Sequence, residues 1–258
     1  MAATEPARRQ ITSARNPLLR HLRTLRGRRG DRREAGEFLC EGWKLLGEAL
    51  QNGAELTALA TVPEADLPPL PDGLPVYEVP ASLLDAVSPS DTPQGVLFTC
   101  RIPDRPLPDR LPAGRYLVLD GLQDPGNVGT ILRTGDALGL TAALLLPGCA
   151  DPYGPKAVRA SMGAVFRLPF YEADLTDLTA LLERSSLPLW AADVGPDAVD
   201  IRAADLRRAA VAIGSEGQGL SPALLAQCTG RITIPMRQRC ESLNAAVAAA
   251  LILWEMGR

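Results

Sequence analysis

Two stretches near the end of the chain, 211-VAIGSEGQGLS-221 and 232-ITIPMRQRCESLNAAVAAALILWE-255, decide the fold. Each begins with a short apolar run, Val211 to Ile213 and Ile232 to Ile234, and each run ends in a break. The first break is a glycine-rich loop around Glu216, and the second is Pro235 and a polar loop before an alanine-rich helix. Strand ends that open into such loops are where open α/β sheets bind ligands. The two loops therefore predict one shared pocket.

The chain upstream of these stretches extends the same pattern. From Tyr116 onward, apolar strands without inside–outside alternation alternate with helices, and a strand is predicted over Val165 to Leu168. This pattern predicts an α/β domain with a mostly parallel sheet that is covered on both faces. The proline-rich composition of residues 101–112 is typical of a linker. We therefore predict a small α/β domain over 1–100, with a loose tail at Met1 to Thr12, and a larger domain over 113–258.

Charge is distributed unevenly along the 258 residues, whose formal net charge is only -3. Ten arginines precede residue 34, against two acidic residues, Glu5 and Asp31. A solvated helix face would explain such a block, but guanidinium groups pair bidentately with phosphate, which favours phosphate binding. The arginines predicted to contact phosphate are Arg15, Arg20, Arg23 and Arg26.

The cysteine and histidine content limits the possible chemistry. The five cysteines show no C-x-x-C pairing, so neither a disulfide framework nor a zinc site is predicted. The one histidine, His21, excludes a histidine base or a histidine-ligated metal in the C-terminal half. With no secretory signal, and with Ala245 to Trp254 too short to cross a bilayer, we expect a cytoplasmic protein without a metal or a membrane partner.

Three constellations could carry chemistry. In 120-DGLQDPGNVGTILRTGDALG-139, Asn127 is predicted to cap a helix that carries Arg133 on its polar side. The second is the glycine-rich loop around Glu216, and the third places Ser242 and Asn244 at the start of the last helix. That helix is apolar all round, which predicts burial on every side. Each motif also has a plainer interpretation as a capped helix or a tight turn.

Taken together, the three stretches resemble the signature motifs of the SpoU (TrmH-like) family of RNA ribose methyltransferases in the SPOUT superfamily. Asn127 and Arg133 match N-x-x-x-x-x-R, and the loop from Gly214 to Ser221 matches G-x-E-G-x-G-x-S. Ile234, Pro235 and Met236, followed by Glu241 to Asn244, match I-P-M and E-S-L-N. The segment 156-KAVRASMGAVFRLP-169 and the N-terminal residues also resemble the family, so the likeness covers most of the chain.

The resemblance implies methyl transfer from S-adenosylmethionine to a ribose 2′-hydroxyl of RNA, with rRNA a better expectation than tRNA. It implies a deep trefoil knot at about 211–258, an exception to the rule that chains are not knotted, and a homodimer through the C-terminal domain. By resemblance, the cofactor-binding residues are Gly214, Gly219, Ile234, Met236, Ser242 and Leu243. The catalytic residues implied are Asn127, Arg133, Glu216, Ser242 and Asn244. The phosphate that the N-terminal arginines contact would then be that of RNA, so the RNA-binding residues are Arg15, Arg20, Arg23 and Arg26.

Arg133 has two possible roles in this reaction. It is a poor general base because the pKa of arginine exceeds about 12. We therefore favour a clamp on an RNA phosphate that also stabilises the forming alkoxide over proton abstraction by the guanidine.

Two other functions fit parts of the sequence. A non-catalytic SPOUT-like protein that binds RNA or assists ribosome assembly would need the fold but not the intact polar motifs. A dehydrogenase-like or nucleotide-binding enzyme would need a dinucleotide fingerprint or a P-loop lysine, and the chain has neither.

Overall fold

The computed structural model describes residues 8–237 and 242–258, and the elements of its first part form one mixed sheet with helices. The strands of that sheet run in the order β1-β4-β3-β5-β2, with parallel β1–β4 and β4–β3 pairs and antiparallel β3–β5 and β5–β2 pairs. In chain order the elements are β1 (Arg8–Gln10), α1 (Pro17–Arg26), α2 (Arg29–Ala35), β2 (Glu37–Glu41), α3 (Trp43–Gln51), β3 (Leu56–Thr61), β4 (Val76–Glu78), α4 (Ala81–Asp85) and β5 (Val96–Arg101).

The second part is a regular alternation of strands and helices. In chain order the elements are β6 (Arg115–Asp120), α5 (Pro125–Ala137), β7 (Ala142–Leu145), α6 (Pro155–Ser161), α7 (Ala164–Arg167), β8 (Phe170–Glu172), α8 (Leu175–Ser185), β9 (Leu189–Ala192), β10 (Val199–Asp200), a 3-10 turn (Ile201–Ala203), β11 (Ala209–Gly214), α9 (Pro222–Leu225), β12 (Gly230–Thr233) and α10 (Ala245–Met256). Every described strand pair here is parallel, in the order β10-β12-β9-β11-β6-β7-β8. The predicted α/β class with a mostly parallel sheet is confirmed.

The chain divides into two compact units. The first holds the residues up to Pro103 together with Asp151–Phe166, and the second holds Asp104–Ala150 with the described residues of Arg167–Arg258. The segment 151–166 therefore packs with the N-terminal residues, where α6 lies against β2 and the ring of Tyr153 lies 4.8 Å from that of Phe38. The predicted boundaries at 100 and 113 remain a proposal.

The first unit has its own apolar core. In α1, Asn16 caps the helix by accepting from the amide of Leu18, and Leu19, Leu22 and Leu25 bury one face at three-residue spacing. The arginines between them face outward, which separates an apolar side from a basic side.

The second unit buries both faces of its parallel sheet. Tyr116 and Val118 of β6 face one layer together with Leu178 and Leu181 of α8, and all four side chains are fully buried. Consecutive residues Tyr116 to Leu119 are all buried. The sequence of this strand is therefore continuously apolar and does not alternate between apolar and polar residues.

Two local predictions are wrong. Residues 8–10 are not part of a loose tail, because they form β1 and pair with β4. The segment predicted as a strand at Val165 to Leu168 contains α7, and the strand follows it at Phe170–Glu172. A short apolar run does not distinguish a strand from a buried helical turn, which explains the error.

The last helix is also only partly as predicted. Its Ala249, Ile252 and Leu253 are buried, but Val247, Leu251 and Trp254 are 49%, 44% and 63% exposed. The expectation of burial on every side is therefore wrong for the single chain. Among the described residues, no helix is long and apolar enough to cross a membrane.

Candidate functional site

A cavity of about 280 Å³ lies at the carboxyl ends of three neighbouring parallel strands, β9, β11 and β12. The two loops singled out in the sequence, after β11 and β12, both contribute to it, as does the start of α10. Its lining residues are Ala192, Asp193, Val194, Ile201, Ile213, Gly214, Ser215, Glu216, Gly219, Ile232, Thr233, Ile234, Met236, Ser242, Leu243, Ala245, Ala248 and Ile252. Aliphatic walls with few polar groups are typical of a site for a small organic ligand.

The glycine-rich loop closes tightly on itself. Ser215 and Gly219 exchange two backbone hydrogen bonds of 3.1 and 2.9 Å, and Gly219 adopts a positive φ of 67°. A β-carbon on Gly214 would lie 2.1 Å from the carbonyl carbon of Gly219. Glycine at position 214 is therefore a packing requirement of the turn, while Gly219 supplies the left-handed conformation that other residues disfavour.

A carboxylate from the neighbouring strand holds the far end of this loop. Asp120 at the end of β6 pairs with Gly214 in register, and its Oδ2 accepts a 2.7 Å hydrogen bond from the amide of Ser221. The Ser221 hydroxyl in turn accepts from the amide of Leu224 and caps α9. The loop is thus held at both ends by groups of rigid elements.

Three polar side chains from distant parts of the chain meet beside the cavity. The side-chain Nδ2 of Asn127 donates to Glu216 Oε1, and the side-chain Nδ2 of Asn244 donates to Asn127 Oδ1 at 3.1 Å. Asn244 is also the N-cap of α10, since its Oδ1 accepts from the amides of Ala246 and Val247. The predicted catalytic residues Asn127, Glu216 and Asn244 therefore form one hydrogen-bonded chain.

The predicted cap of α5 is wrong. Asp124 is the N-cap, where its carboxylate accepts from the amides of Gly126 and Asn127, and Asn127 lies within the first turn. This frees the side chain of Asn127 for Glu216. The acidic cap also suits the positive end of the helix dipole.

The remaining predicted catalytic residues lie in different places. Ser242 lines the cavity, next to Leu243. Arg133 lies on α5 with an exposed side chain, has no hydrogen bond to another described residue, and is not part of the cavity lining. The structure thus brings four of the five predicted catalytic residues to the cavity or to its polar chain, and leaves Arg133 on the same helix as Asn127.

All six predicted cofactor-binding residues line the cavity. Sequence reasoning missed the third loop, which follows β9 and contributes Asp193 and Val194, as well as Ile201 of the 3-10 turn. The signal was available, because Leu189 to Ala192 was a predicted strand and its end lies at the same sheet edge. Asp193 is held by Arg231 at 3.1 Å, so this loop is tied to β12.

The four arginines predicted to bind RNA, Arg15, Arg20, Arg23 and Arg26, are all exposed. The neighbouring Arg32 differs, because its side chain is only 5% exposed and pairs with Asp151 at 2.7 Å. Arg32 belongs to the basic block in sequence but is a structural residue. Among residues 8–237 and 242–258, no group of three or more His, Cys, Asp or Glu is placed to hold a metal ion. Glu241 of the third motif lies outside the described residues.

Comparison with known families finds two matches. Residues 114–254 match the SpoU rRNA Methylase family, and residues 16–97 match the MRM3-like substrate binding domain. The first match covers the sheet edge, the cavity and the polar chain described above.

Similar proteins match along nearly the whole chain. The Bacillus subtilis 23S rRNA (guanosine(2553)-2′-O)-methyltransferase RlmP is 30% identical over 249 residues, covering 96% of this chain and 99% of that protein. A 23S rRNA (uridine(2479)-2′-O)-methyltransferase of Streptomyces viridochromogenes is 31% identical over 98% of this chain and 93% of that protein. The crystal structure of an AdoMet-bound rRNA methyltransferase from Sinorhizobium meliloti superposes with a TM-score of 0.85 at 30% identity, covering 96% of this chain and 97% of that one.

Proposed function

This chain belongs to the SpoU rRNA methylase family, and from that membership we propose the reaction and the roles of its residues. It is an RNA 2′-O-ribose methyltransferase that uses S-adenosylmethionine, and its relatives favour rRNA over tRNA as the substrate. The observation that carries the proposal is the joining of Asn127, Glu216 and Asn244 into one polar chain beside an apolar cavity.

The lining of the cavity suits S-adenosylmethionine in polarity and charge. Ile213, Ile234 and Leu243 provide apolar walls, and the two charged residues of the described lining, Asp193 and Glu216, are both acidic. That balance suits a ligand with a sulfonium and an ammonium group, because opposite charges attract. We assign cofactor binding to Gly214, Gly219, Ile234, Met236, Ser242 and Leu243. When bound, S-adenosylmethionine supplies an activated methyl group.

The protein's part in the reaction is to orient the ribose hydroxyl and to stabilise the charge that develops on it. Holding a nucleophile in line with its target supplies much of the rate of a displacement. The hydrogen-bonded chain fixes Asn127 between Glu216 and Asn244, so its side chain is preorganised by two rigid elements, α5 and the N-cap of α10. Asn127, Glu216, Ser242 and Asn244 are assigned to the catalytic pocket.

Arg133 is assigned to the RNA phosphate next to the reacting ribose. Its side chain is exposed and makes no ion pair with another described residue, so it is available for a bidentate phosphate contact. A guanidinium group in this position stabilises the forming alkoxide and keeps its own proton, while the proton of the ribose hydroxyl passes to solvent water.

The test is the Arg133→Ala variant. The expected result is loss of radiolabelled methyl incorporation into rRNA, with unchanged S-adenosylmethionine affinity in calorimetry. Wild-type turnover by the variant would refute the role of Arg133, and absence of any methyl incorporation by the wild-type protein would refute the reaction itself. Mapping of blocked ribose positions in rRNA from a strain without the protein would identify the nucleotide.

A homodimer through the second unit is part of the proposal. Val247, Leu251 and Trp254 recur at helical spacing on α10 and are between 44% and 63% exposed. An apolar stripe of this kind supports contact with a second copy of the chain. Light scattering in solution measures the subunit number.

The trefoil knot at about 211–258 is also proposed rather than established, and the knotted fold of the family supports it. The small domain is proposed to bind RNA over residues 1–100, with a linker at 101–112 and the methyltransferase domain at 113–258. The match of residues 16–97 to a substrate binding domain supports its role, as do Arg15, Arg20, Arg23 and Arg26 on its surface. A cytoplasmic location stays a prediction that cell fractionation would test.

A further inference from the structure

A second cavity, of about 180 Å³, lies wholly within the first unit. Its apolar walls come from β2, α3, α6 and the loop after α4. The lining residues are Leu39, Glu41, Leu45, Pro89, Pro155, Lys156, Val158 and Arg159. A cavity of about 150 Å³ is large enough to hold benzene, so one heterocyclic ring system fits this one while a whole nucleotide does not. If a larger ligand places one ring in the cavity, its remaining atoms lie outside, at the cavity entrance.

The charges around this cavity are arranged asymmetrically. Lys156 and Arg159 lie one turn apart on α6 with exposed side chains, whereas Glu41 is only partly exposed. Two cations at the surface attract an anionic group there, while the carboxylate repels an anion from the interior and accepts hydrogen bonds from N–H groups. A ligand with a phosphate outside and a nitrogen heterocycle inside satisfies both conditions.

The polar groups at the rim are already held in place. Glu41 Oε1 accepts from the Ser88 hydroxyl at 2.7 Å and from the amide of Gln94 at 3.3 Å, and its Oε2 has no hydrogen-bond partner among the described residues. The Ser88 oxygen accepts from the amide of Ser90 at 3.0 Å, and the Ser90 hydroxyl accepts from Arg159 at 3.3 Å. This network joins the carboxylate to one of the two cations, which reduces the ordering cost of binding a ligand between them.

We propose that this cavity binds one nucleotide of single-stranded RNA, with the base between Leu45 and Val158 and its phosphate against Lys156 and Arg159. The inference rests on the proposed function, because it assigns this nucleotide to the same RNA that is methylated in the second unit. Single-stranded RNA is the occupant, because its unstacked bases can enter a pocket one at a time. The first unit therefore does not need to contact the base edges of double-stranded RNA.

The test measures binding of a short, fluorescein-labelled, single-stranded RNA of mixed sequence to the full chain by anisotropy, at salt concentrations from about 50 to 200 mM. Lys156→Ala/Arg159→Ala removes two phosphate contacts. We expect affinity to fall about tenfold, and the slope of log affinity against log salt to decrease by about 1.4, because each contact on a single strand contributes about 0.7.

Variants that fill the cavity are expected to change RNA affinity without changing its salt dependence. Val158→Phe and Leu45→Phe enlarge side chains on two different walls. Either is expected to weaken binding about tenfold through lost base contacts, with an unchanged salt slope. Trp43 fluorescence during thermal unfolding, in a background with Trp190→Phe and Trp254→Phe, identifies any variant that fails to fold in the first unit. Calorimetry with S-adenosylmethionine checks the second unit.

The matched control is Arg207→Ala/Arg208→Ala, which removes two exposed positive charges from the second unit. We expect it to leave the salt slope unchanged, and an equal loss in the control would overturn the proposal in favour of diffuse attraction. Unchanged RNA affinity in the folded cavity variants would also overturn it, even if the wild-type protein methylates rRNA. If free nucleoside monophosphates bind as tightly as the RNA, the assignment to an RNA nucleotide is wrong. Failure of the wild-type protein to methylate any RNA contradicts the proposed function instead.

Discussion

Removal of Arg32 is expected to destabilise the first unit severely. The Nε and Nη2 atoms of Arg32 both lie 2.7 Å from Asp151 Oδ2, and its Nη1 donates to the carbonyls of Leu25 and Gly27 at 2.9 and 2.8 Å. Its exposed fraction is 5%, and that of Asp151 is 6%. Among the described residues, Arg32→Met would leave the carboxylate with one hydrogen bond, from the amide of Tyr153 at 3.0 Å. Breaking a buried ion pair in this way costs about 3–5 kcal/mol.

The control is an ion pair of the same chemistry at the surface. Arg101 donates to Glu55 at 2.9 Å, but the two side chains are 50% and 67% exposed. Water screens this pair, so Arg101→Met is expected to cost far less stability than Arg32→Met. Both substitutions remove an arginine that contacts one carboxylate, so their difference reports the burial of Arg32 together with its two bonds to backbone carbonyls.

The assay is urea unfolding followed by the fluorescence of Trp43, which lies in the first unit. The background carries Trp190→Phe and Trp254→Phe, so that the signal reports this unit alone. With a denaturant dependence of about 2 kcal/mol per molar, the Arg32→Met midpoint should fall by about 2 M. An Arg32→Met midpoint within error of that of Arg101→Met would refute the reasoning.

A double substitution distinguishes the loss of the attraction between Arg32 and Asp151 from the cost of leaving the Asp151 carboxylate buried without a partner. Arg32→Met with Asp151→Leu removes both charges, and replacing a buried pair by apolar side chains is often neutral or stabilising. We expect the double variant to recover most of the lost stability. If it is as unstable as Arg32→Met, the bonds from Arg32 to the two carbonyls carry the stability instead of the ion pair.

The remaining predictions concern the second unit. Gly214→Ala should abolish S-adenosylmethionine binding in calorimetry, because the new β-carbon would lie 2.1 Å from backbone, while Gly217→Ala, with no atom within 4 Å, should bind normally. Asp120→Asn should weaken cofactor binding about fivefold, since a hydrogen bond to a charged group contributes about 1 kcal/mol more than a neutral one; an unchanged affinity would exclude a role for this carboxylate in holding the loop. Leu251→Glu should give a monomer in light scattering, and a persistent dimer would place the interface elsewhere. Burial raises the pKa of Tyr116 to about 12, so the stability due to its protonated hydroxyl should be present below about pH 10 and lost as the pH rises through 12; Tyr116→Phe should flatten this part of a pH-dependent unfolding curve.

The sequence predicted the sheet edge because the relevant signals are local. An apolar run such as Val211 to Ile213 is buried on both faces, and its end at glycine marks where a turn begins. The six predicted cofactor-binding residues line one cavity because parallel strands bring their carboxyl ends together. The contribution of Asp193 was missed because its loop carries no recognisable motif, although the preceding strand is predicted and ends at the same sheet edge.

Contacts between distant residues were not predictable from the same signals. Asn127 was interpreted as a helix cap, which is the most frequent role of an asparagine before a helix. The cap is instead Asp124, three residues earlier, and both residues fit the local rule equally well. Only the fold decides between them, because Glu216 and Asn244 are separated from Asn127 by 89 and 117 residues.

The composition of α10 contains information about assembly as well as about folding. A helix apolar on every side predicts complete burial, yet the single chain covers only the face of Ala249, Ile252 and Leu253. The stripe of Val247, Leu251 and Trp254 remains at the surface, where its apolar character gives the monomer no stability. Stable interfaces bury about 1,200–2,000 Å², which three half-exposed side chains do not supply alone. A dimer through α10 therefore requires additional surface around the helix, and the glutamate substitution at position 251 tests the centre of that interface rather than its whole area.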